Sequence, residues 1–505
     1  MFEDTIAAIA TPLGQGGLAV IRISGARALA VADKAFTPVG ASSRKPSKAE
    51  SHTIHYGKIM CAGRQVDEVL CAVMLAPRTF TREDIVEITC HGGVLSAKTV
   101  LDVVLASGAR LAEPGEFTKR AFLNGRLDLT QAEAVADLIH SRTDLALTAA
   151  NEQLAGKLSA RINQLRDDLM HTLAHIEAHI DFPEEDIAPD TRAALEGRME
   201  RGIIFMDELL RTANEGQILR NGIRAAIIGR PNAGKSSLLN QLLGHDRAIV
   251  SPIAGTTRDT IEETANVRGI PVVFIDTAGL REAKDEIESE GIRRSRESLA
   301  RAEFILHVLD ASEPLTKEDE MFLNEFTDKK RILVRNKIDL PVKLTLPALT
   351  PAPSPEEREK RSLLHGKEQT DVETRVSRET ENRQLRSPLR EGEGKGEGKC
   401  TATVDVSSLS GAGIEQLKDA IKSLVWSGAI TNEMTHVSIN SRHQDALRRG
   451  REAVQLALDA LRADSSLEFV ALDLRIGANA VGEIVGKTTT EDLLDSIFST
   501  FCLGK

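Results

Sequence analysis

The chain has 505 residues, enough for about three or four domains, and its formal net charge is −11. It contains one Trp, one Tyr and 14 Phe. A protein that held nucleic acid mainly through a basic surface would be net positive, and one that stacked single-stranded bases would carry several aromatic side chains. The composition therefore argues against both of these modes of nucleic-acid binding.

The five cysteines are an odd number in a long chain and include no Cys-x-x-Cys pair, so neither a disulfide framework nor a zinc site is expected. The first residues lack the basic and apolar regions of a signal peptide, and no apolar run is long enough to span a bilayer. We expect a soluble protein of the cytoplasm, where thiols stay reduced.

The first part of the chain alternates short β-rich runs with glycines. The clearest runs are 19–24, 66–75 and 84–89, and helical spacing appears at 96–108. This mixture predicts an α+β domain over residues 1–118.

The following residues have long helical patterns. Thr130 and Glu133 have the spacing of a capping box, and helical spacing then continues to about residue 180. Similar spacing returns after residue 441. These segments predict an all-helical domain formed by residues 119–215 and 430–505.

Between the helical segments, apolar runs alternate with helical patterns, which is typical of a mostly parallel sheet covered on both faces. The runs are 223–229, 272–279, 304–310, 331–339 and 401–407. They predict an α/β domain over 216–429, inserted in the helical domain. Residues 341–400 contain six prolines and no aromatic residue apart from one His, so we expect this insert to be disordered.

The most specific local motif is GRPNAGKS at 229–236, which matches G-x-x-x-x-G-K-[ST] where a strand leads into a helix. Its glycines allow backbone N–H groups to surround phosphates, Lys235 supplies positive charge, and the Ser236 hydroxyl can bind magnesium. The similar segment at 482–488 has Val481 in place of the first glycine and no preceding strand. We therefore place the P-loop at 229–236.

Two further motifs follow in the order expected of a GTPase. DTAG at 276–279 would place a carboxylate near the metal and flexible backbone near the γ-phosphate, and NKID at 336–339 ends a later strand. Asp339 can accept hydrogen bonds from both N1–H and N2–H of guanine, which adenine cannot offer. The set predicts GTP as the nucleotide.

The residues for hydrolysis depart from the commonest arrangement. Leu280 follows DTAG, where many GTPases carry a Gln that positions water. Leucine can neither orient nor deprotonate water. Acidic residues downstream are candidates for this role: Glu282, Asp285, Glu286 and Glu288. Upstream, the hydroxyls of Thr256 and Thr257 could reach the metal and the γ-phosphate.

The chain resembles the bacterial tRNA-modification GTPases of the MnmE (TrmE) family in its ordered motifs GRPNAGKSSLLN, IVSPIAGTTRD, DTAGLREAKDEIE and NKID. It also resembles them in ATPLGQGGLAVIRISG, EDIVEITCHGG, PGEFTKRAFLNGRLDLTQAEAVADLI and FCLGK. The resemblance covers the chain except residues 341–400. It implies a P-loop GTPase domain inserted in a helical domain and preceded by a folate-binding domain that dimerises.

The resemblance further implies GTP hydrolysis stimulated by potassium. Glu288 matches the catalytic Glu of the family, which orients water indirectly. Magnesium would be held by Ser236 and Thr257, and potassium by Asn232, Ser251, Ile253 and Thr256. The GTP-binding residues implied are Asn232, Ala233, Gly234, Lys235, Ser236, Ser237, Ser251, Pro252, Ile253, Ala254, Gly255, Thr256, Thr257, Asp276, Thr277, Ala278, Gly279, Asn336, Lys337, Asp339, Ser407 and Ser408.

For the modification chemistry, the resemblance implies a tetrahydrofolate derivative, 5,10-methylene or 5-formyl, bound by Arg22, Glu87, Arg126 and Lys505. Cys502 matches the Cys of the family's C-x-G-K ending. A homodimer would join the FAD-containing, NADH-using MnmG subunit in a heterotetramer. The complex would place an aminomethyl or carboxymethylaminomethyl group on carbon 5 of the wobble uridine of certain tRNAs, with nitrogen from ammonium or glycine.

Two alternatives stay open on sequence alone. One is a binding switch, a ribosome-assembly or translation-type GTPase whose flanking domains dock RNA. The other is a dimeric scaffold with degenerate hydrolysis, which only Leu280 supports. In addition, Leu409 occupies a position where guanine-contacting loops more often carry Lys, whose stem would cover the base.

Overall fold

The computed structural model describes residues 4–181, 189–244, 263–275, 301–325, 329–346, 401–426, 439–502 and 504. The chain divides into two compact units. One comprises Met1–Ile223, His245–Val273 and Trp426–Lys505, and the other comprises Arg224–Gly244 and Phe274–Val425. Within the described residues, no helix is both long and apolar enough to cross a membrane.

The strands are β1 (Thr5–Ile9), β2 (Leu18–Gly25), β3 (Phe36–Pro38), β4 (Thr53–Cys61), β5 (Arg64–Met74), β6 (Ile85–His91), β7 (Arg110–Leu111), β8 (Ile223–Ile228), β9 (Glu263–Val267), β10 (Ile270–Phe274), β11 (Phe304–Asp310), β12 (Lys330–Asn336) and β13 (Thr401–Asp405). The helices are α1 (Ala28–Ala35), α2 (Val94–Ala106), α3 (Glu116–Leu123), α4 (Leu129–His140), α5 (Asp144–Leu154), α6 (Lys157–Asp181), α7 (Pro189–Arg211), α8 (Ala213–Asn221), α9 (Lys235–Leu243), α10 (Lys317–Glu325), α11 (Ile414–Val425), α12 (Ser441–Arg462), α13 (Leu467–Val485) and α14 (Glu491–Phe498). A 3₁₀ turn occupies Pro46–Lys48.

The first seven strands form one sheet in the order β3-β4-β5-β6-β2-β1-β7. Neighbouring strands are antiparallel except β1 and β7, which are parallel. The apolar side chains of α1 and α2 share a core with inward-facing residues of β2, β5 and β6. The runs predicted as strands in this region are confirmed as β2, β5 and β6, and the helical spacing at 96–108 is confirmed as α2.

A second apolar core joins four helices, α6, α7, α12 and α13. The buried positions of α12 recur at helical spacing, as in Leu447, Val454 and Leu458. Residues before and after the second unit therefore contribute to one core. Residues 118 and 216, at two of the predicted domain boundaries, lie inside α3 and α8.

The predicted capping box at Thr130 and Glu133 is wrong. The cap of α4 is Asp128, whose side chain accepts a hydrogen bond from the Gln131 N–H at 3.0 Å, while the Gln131 side chain accepts from the Asp128 N–H. Glu133 instead pairs with Arg442. The helical spacing predicted up to about residue 180 is confirmed, and it is divided among three helices, α4, α5 and α6.

The second sheet has the order β13-β12-β11-β8-β10-β9. Strands β8, β11, β12 and β13 run parallel, and β11 is buried along its whole length. These strands confirm four of the predicted apolar runs. The fifth, 272–279, is confirmed in β10 up to Phe274, and its residues 276–279 lie outside the described part of the chain. Because parallel strands end at the same edge of a sheet, the loops after β8, β12 and β13 lie together. These are the loops that carry 229–236, 336–339 and 407–408.

Candidate functional site

The P-loop connects β8 to α9 and depends on two glycines. A Cβ on Gly229, whose φ is 145°, would lie 2.2 Å from the carbonyl oxygen of Val308. A Cβ on Gly234, whose φ is 95°, would lie 2.1 Å from Nδ2 of Asn336. Neither position has room for a side chain, so the loop backbone packs directly against the ends of β11 and β12.

Lys235 is the first residue of α9. Its Nζ donates hydrogen bonds to the carbonyl oxygens of Gly229 at 2.7 Å and Arg230 at 2.8 Å. Burial lowers the pKa of Lys235 below its usual range. These bonds turn the side chain back over its own loop, so its positive charge lies beside the N-terminus of α9. A charge and a helix N-terminus at one place favour a phosphate group.

Asn336, at the end of β12, joins two of the predicted nucleotide-binding loops. Its Nδ2 donates to the carbonyl oxygen of Ala233 at 2.8 Å. Its Oδ1 accepts from the N–H of Ser408 at 3.0 Å and from the Ser408 hydroxyl at 2.9 Å. The Asn336 side chain is almost fully buried, so it holds the P-loop and the 407–408 loop in one arrangement.

The exposed carboxylate of Asp339 lies next to this junction, where Oδ1 accepts a hydrogen bond from the Ser407 hydroxyl at 2.5 Å. The structure thus brings together Asp339, Asn336, Ser407 and Ser408, as the sequence predicted for a guanine pocket. Leu409 is 85% exposed and covers no part of it.

Two residues that support this pocket were missed by the sequence analysis. Asp310, at the end of β11, accepts from Nζ of Lys337 at 2.6 Å. Burial raises the pKa of Asp310, but the hydrogen bonds from Lys337 and Ser312 outweigh it and lower the pKa. Gln241 of α9 donates to the carbonyl oxygen of Ser408 at 3.0 Å. Neither residue belongs to a local motif, so no sequence signal indicated them.

Several predicted site residues lie outside the described part of the chain. They are Ser251, Pro252, Ile253, Ala254, Gly255, Thr256, Thr257, Asp276, Thr277, Ala278, Gly279, Glu288 and Lys505. Of the predicted metal ligands, Asn232 and Ser236 are described, and both are exposed on the P-loop and the first turn of α9. Among described residues, no group of three or more His, Cys, Asp or Glu could hold a metal ion.

A second group of predicted residues meets on the seven-stranded sheet. Arg22 on β2 is directly opposite Glu87 on β6, and Nε of Arg22 donates to Oε1 of Glu87 at 2.8 Å. The Arg22 guanidinium lies over the rings of Phe80 and Phe117, at 5.8 and 5.7 Å from their centres. Arg126 lies over Phe80 at 5.0 Å. Phe80 therefore contacts two of the four predicted folate-binding residues, Arg22 and Arg126, and no local sequence signal indicated it.

A cavity of about 500 Å³ opens beside Phe80 and Arg126. Its volume lies in the range of pockets that take a small organic ligand. The paired charges of Arg22 and Glu87, with aromatic and guanidinium faces next to them, offer both hydrogen bonding and stacking to a flat heterocycle.

Gly504, in the described part of the FCLGK segment, lies beside the same sheet. The carbonyl oxygen of Gly504 accepts from Nη1 of Arg22 at 3.3 Å, and the carbonyl oxygen of Cys502 accepts from the Gly115 N–H at 3.4 Å. Phe501 packs in a small core with Leu129 and Phe498. Cys502 thus lies two residues before Gly504, whose carbonyl oxygen accepts a hydrogen bond from Arg22. The Cys502 side chain is partly exposed.

Comparison with known proteins identifies the family of this chain. A family model for the MnmE helical domain matches residues 129–502, and one for the GTP-binding protein TrmE N-terminus matches 5–126. The tRNA modification GTPase MnmE of Bacillus velezensis is 44% identical, over 99% of this chain and 100% of that protein. Those of Geobacillus kaustophilus and Bacillus subtilis are 45% and 43% identical, each over 99% of this chain and 99% and 100% of their own lengths.

Among solved structures, Era in complex with MgGDPNP and a 16S ribosomal RNA segment is 27% identical to this chain. It covers 46% of this chain and 67% of its own, with a TM-score of 0.24, which is too low to support an assignment. The family models and the full-length relatives are decisive. This chain belongs to the MnmE family of tRNA modification GTPases.

Proposed function

We propose that this tRNA modification GTPase uses potassium in GTP hydrolysis and acts on the wobble uridine of certain tRNAs. It would work as a homodimer with the FAD-containing MnmG subunit and place an aminomethyl or carboxymethylaminomethyl group on carbon 5. The single observation that carries the proposal is the junction at Asn336, which joins the P-loop to the guanine loop in a chain of this family.

In the proposed nucleotide site, each described residue has a distinct role. The P-loop N–H groups and Lys235 would bind the GTP phosphates, and Asp339 would accept from N1–H and N2–H of guanine. Asn336 would position both loops without touching the phosphates. Lys337 would be fixed by Asp310 so that its stem lies beside the base.

The described residues fit the proposed metals in their chemistry. Ser236 offers an exposed hydroxyl beside Lys235, and Asn232 offers an exposed amide oxygen, and both are oxygen donors of the kind that hard cations prefer. Magnesium would be held by Ser236 and Thr257, and potassium by Asn232, Ser251, Ile253 and Thr256. When bound, these ions neutralise charge on the phosphates. Glu288 would orient the attacking water.

The proposed folate site lies on the seven-stranded sheet. Glu87 can accept hydrogen bonds from a heterocycle that presents N–H groups, and Arg22 can stack on it or donate to it. Arg126 lies at the edge of this site, over the ring of Phe80. Lys505 would contribute a charge and Cys502 a thiol. A bound tetrahydrofolate derivative supplies the one-carbon unit. Residues 1–118 would form this domain, 119–215 with 430–505 the helical domain, and 216–429 the GTPase domain.

GTP turnover in potassium and in sodium at equal ionic strength tests the hydrolysis proposal. We expect turnover to be at least about tenfold faster in potassium, which corresponds to about 1.4 kcal/mol in the barrier. Equal rates in the two salts would exclude a potassium site. Glu288→Ala should lower kcat and leave GTP affinity nearly unchanged, whereas a loss of affinity would show that Glu288 is structural.

A further inference from the structure

The cavity beside Phe80 is lined by positively charged side chains and by no negatively charged ones. Three of its seven lining residues are arginines, Arg78, Arg82 and Arg126, and none is acidic. Like charges placed close together repel one another unless an anion lies between them. The composition of the cavity wall therefore indicates a site for a negatively charged group.

The carboxylates closest in sequence are engaged elsewhere. Glu83 accepts from the Ser24 hydroxyl at 2.8 Å and pairs with the buried Arg120, and Asp84 accepts from the Ala76 N–H at 2.9 Å. Among the described residues, none of the three cavity arginines forms an ion pair with a carboxylate. Their charges are thus available to a ligand in the cavity.

Arg82 is held in an unusual conformation. Its φ is 59°, in the left-handed region that non-glycine residues seldom adopt, and its Nη1 donates to the carbonyl oxygen of Asn124 at 2.9 Å. Strained backbone of this kind is concentrated at binding sites. The hydrogen bond fixes one edge of the guanidinium, which leaves its other N–H groups free to meet an anion in a defined direction.

Phe80 joins this cavity to the proposed folate site. The centre of its ring lies 5.8 Å from the guanidinium of Arg22 and 5.0 Å from that of Arg126. A folate carries a glutamyl group with two carboxylates at the end opposite its pterin ring, and each further γ-linked glutamyl residue adds another. Guanidinium groups bind carboxylates with paired, charge-assisted hydrogen bonds. The positive charge of the cavity wall is complementary to that end of the ligand.

We infer that Arg78, Arg82 and Arg126 bind the glutamyl carboxylates of the folate, so that this chain prefers folates that carry several glutamyl residues. The inference rests on the proposed folate site. A tRNA phosphate backbone is the less favoured ligand, because an opening of about 500 Å³ matches the volume of a small molecule. The net charge of −11 also disfavours a broad RNA surface.

Calorimetric titration of the full-length chain with three ligands tests this inference. The ligands are tetrahydropteroate, which has no glutamate, 5-formyltetrahydrofolate with one glutamate, and its triglutamate form. We expect affinity to rise with each step and to be about tenfold or more higher for the triglutamate than for the monoglutamate form. The Arg78→Ala/Arg82→Ala variant should lose most of this gain and bind tetrahydropteroate as the wild type does.

Arg64→Ala is the matched control, because Arg64 is an exposed arginine on β5 that does not line the cavity. It should leave all three affinities within about twofold. The single variants Arg78→Gln and Arg82→Gln repeat the comparison with a smaller change, since both side chains are exposed and their loss should not unfold the domain.

Three results would overturn the inference. The wild type could bind tetrahydropteroate and the triglutamate form equally well, or the double variant could lose affinity for all three ligands alike, which would make the arginines structural. The double variant could also lose tRNA affinity while its preference for the triglutamate form persists, which would make RNA the ligand. If the wild type binds none of the three, the folate proposal itself fails.

Discussion

Nδ2 of Asn336 lies 2.8 Å from the carbonyl oxygen of Ala233, so one buried hydrogen bond joins the NKID segment to the P-loop. The other end of the same amide accepts from Ser408. The loops proposed to bind the phosphates and the guanine are therefore joined to each other without a nucleotide, which lowers the entropy lost on binding.

Asn336→Ala should weaken GTP binding strongly. It removes both sets of hydrogen bonds and leaves the carbonyl of Ala233 and the N–H of Ser408 unpaired. Buried groups left in this way cost about 1–3 kcal/mol, or roughly 5- to 150-fold in affinity. Equilibrium titration with a fluorescent GTP analogue measures the change. Asn240→Ala, at an exposed position of α9, should bind GTP normally; equal affinity for GTP in the two variants would refute the role of Asn336.

Asp339→Asn should change the base that is recognised. In the proposed site the carboxylate would accept two hydrogen bonds from guanine, whereas an amide can accept one while its NH₂ group donates the other. Xanthine has a carbonyl where guanine has an amino group, so the variant should bind XTP about as well as the wild type binds GTP. It should also lose about 100-fold or more in GTP affinity. Competition binding with both nucleotides checks this, and an unchanged preference for GTP would exclude contact between Asp339 and the base.

His307 should make stability depend on pH. It is buried in the middle of β11, opposite Ile228 and Leu333, and burial lowers its pKa to about 4. The unfolded chain takes up the proton near pH 6.5, so this contribution is complete above about pH 6.5 and declines as the pH falls towards 4. The full decrease in unfolding free energy is roughly 3 kcal/mol, because each unit of difference between the folded and unfolded pKa corresponds to about 1.4 kcal/mol.

Urea unfolding at about pH 7.5 and about pH 5 measures this dependence. The His307→Leu variant should show a smaller decrease in unfolding free energy between the two pH values than the wild type. His171→Leu, at an exposed position of α6, should keep the wild-type decrease. If the unfolding free energy of His307→Leu decreases between the two pH values as much as that of the wild type, the buried histidine does not cause the pH dependence.

Removal of residues 345–398 should leave GTP hydrolysis within a few-fold of the wild type. Strands β12 and β13 on either side of the insert are parallel neighbours, with Arg331 opposite Thr401 and Arg335 opposite Asp405. For a loop of this length, each doubling or halving of its length changes the free energy of loop closure by only about 0.6 kcal/mol. Steady-state GTP turnover is the measurement, and its abolition would show that the insert contributes to the guanine site.

The sequence alone was sufficient to predict structural features that depend on residues close together in the chain. The P-loop was predicted correctly, because the requirement for Gly229 and Gly234 arises from backbone packing within a short segment. Buried strands such as β11 were equally clear, since a strand covered on both faces is apolar throughout. The family match then excluded the two alternatives that the motifs had left open, a binding switch and a scaffold without hydrolysis.

Features that depend on distant residues were not predicted. Thr130–Glu133 and Asp128–Gln131 both have capping-box spacing, but in the fold Asp128 caps α4 and Glu133 pairs with Arg442, which is 309 positions away. In the same way, Phe80 became a candidate only when the fold placed it between Arg22 and Arg126. Such contacts leave no pattern in a single sequence.

Mass analysis of nucleosides from bulk tRNA tests the central claim most directly. The host strain should be compared with one that lacks this chain and with one in which the chain is restored. We predict that the carbon-5 aminomethyl and carboxymethylaminomethyl derivatives of the wobble uridine disappear without the chain and return with it. If these nucleosides persist undiminished in the strain that lacks it, the proposed function is wrong.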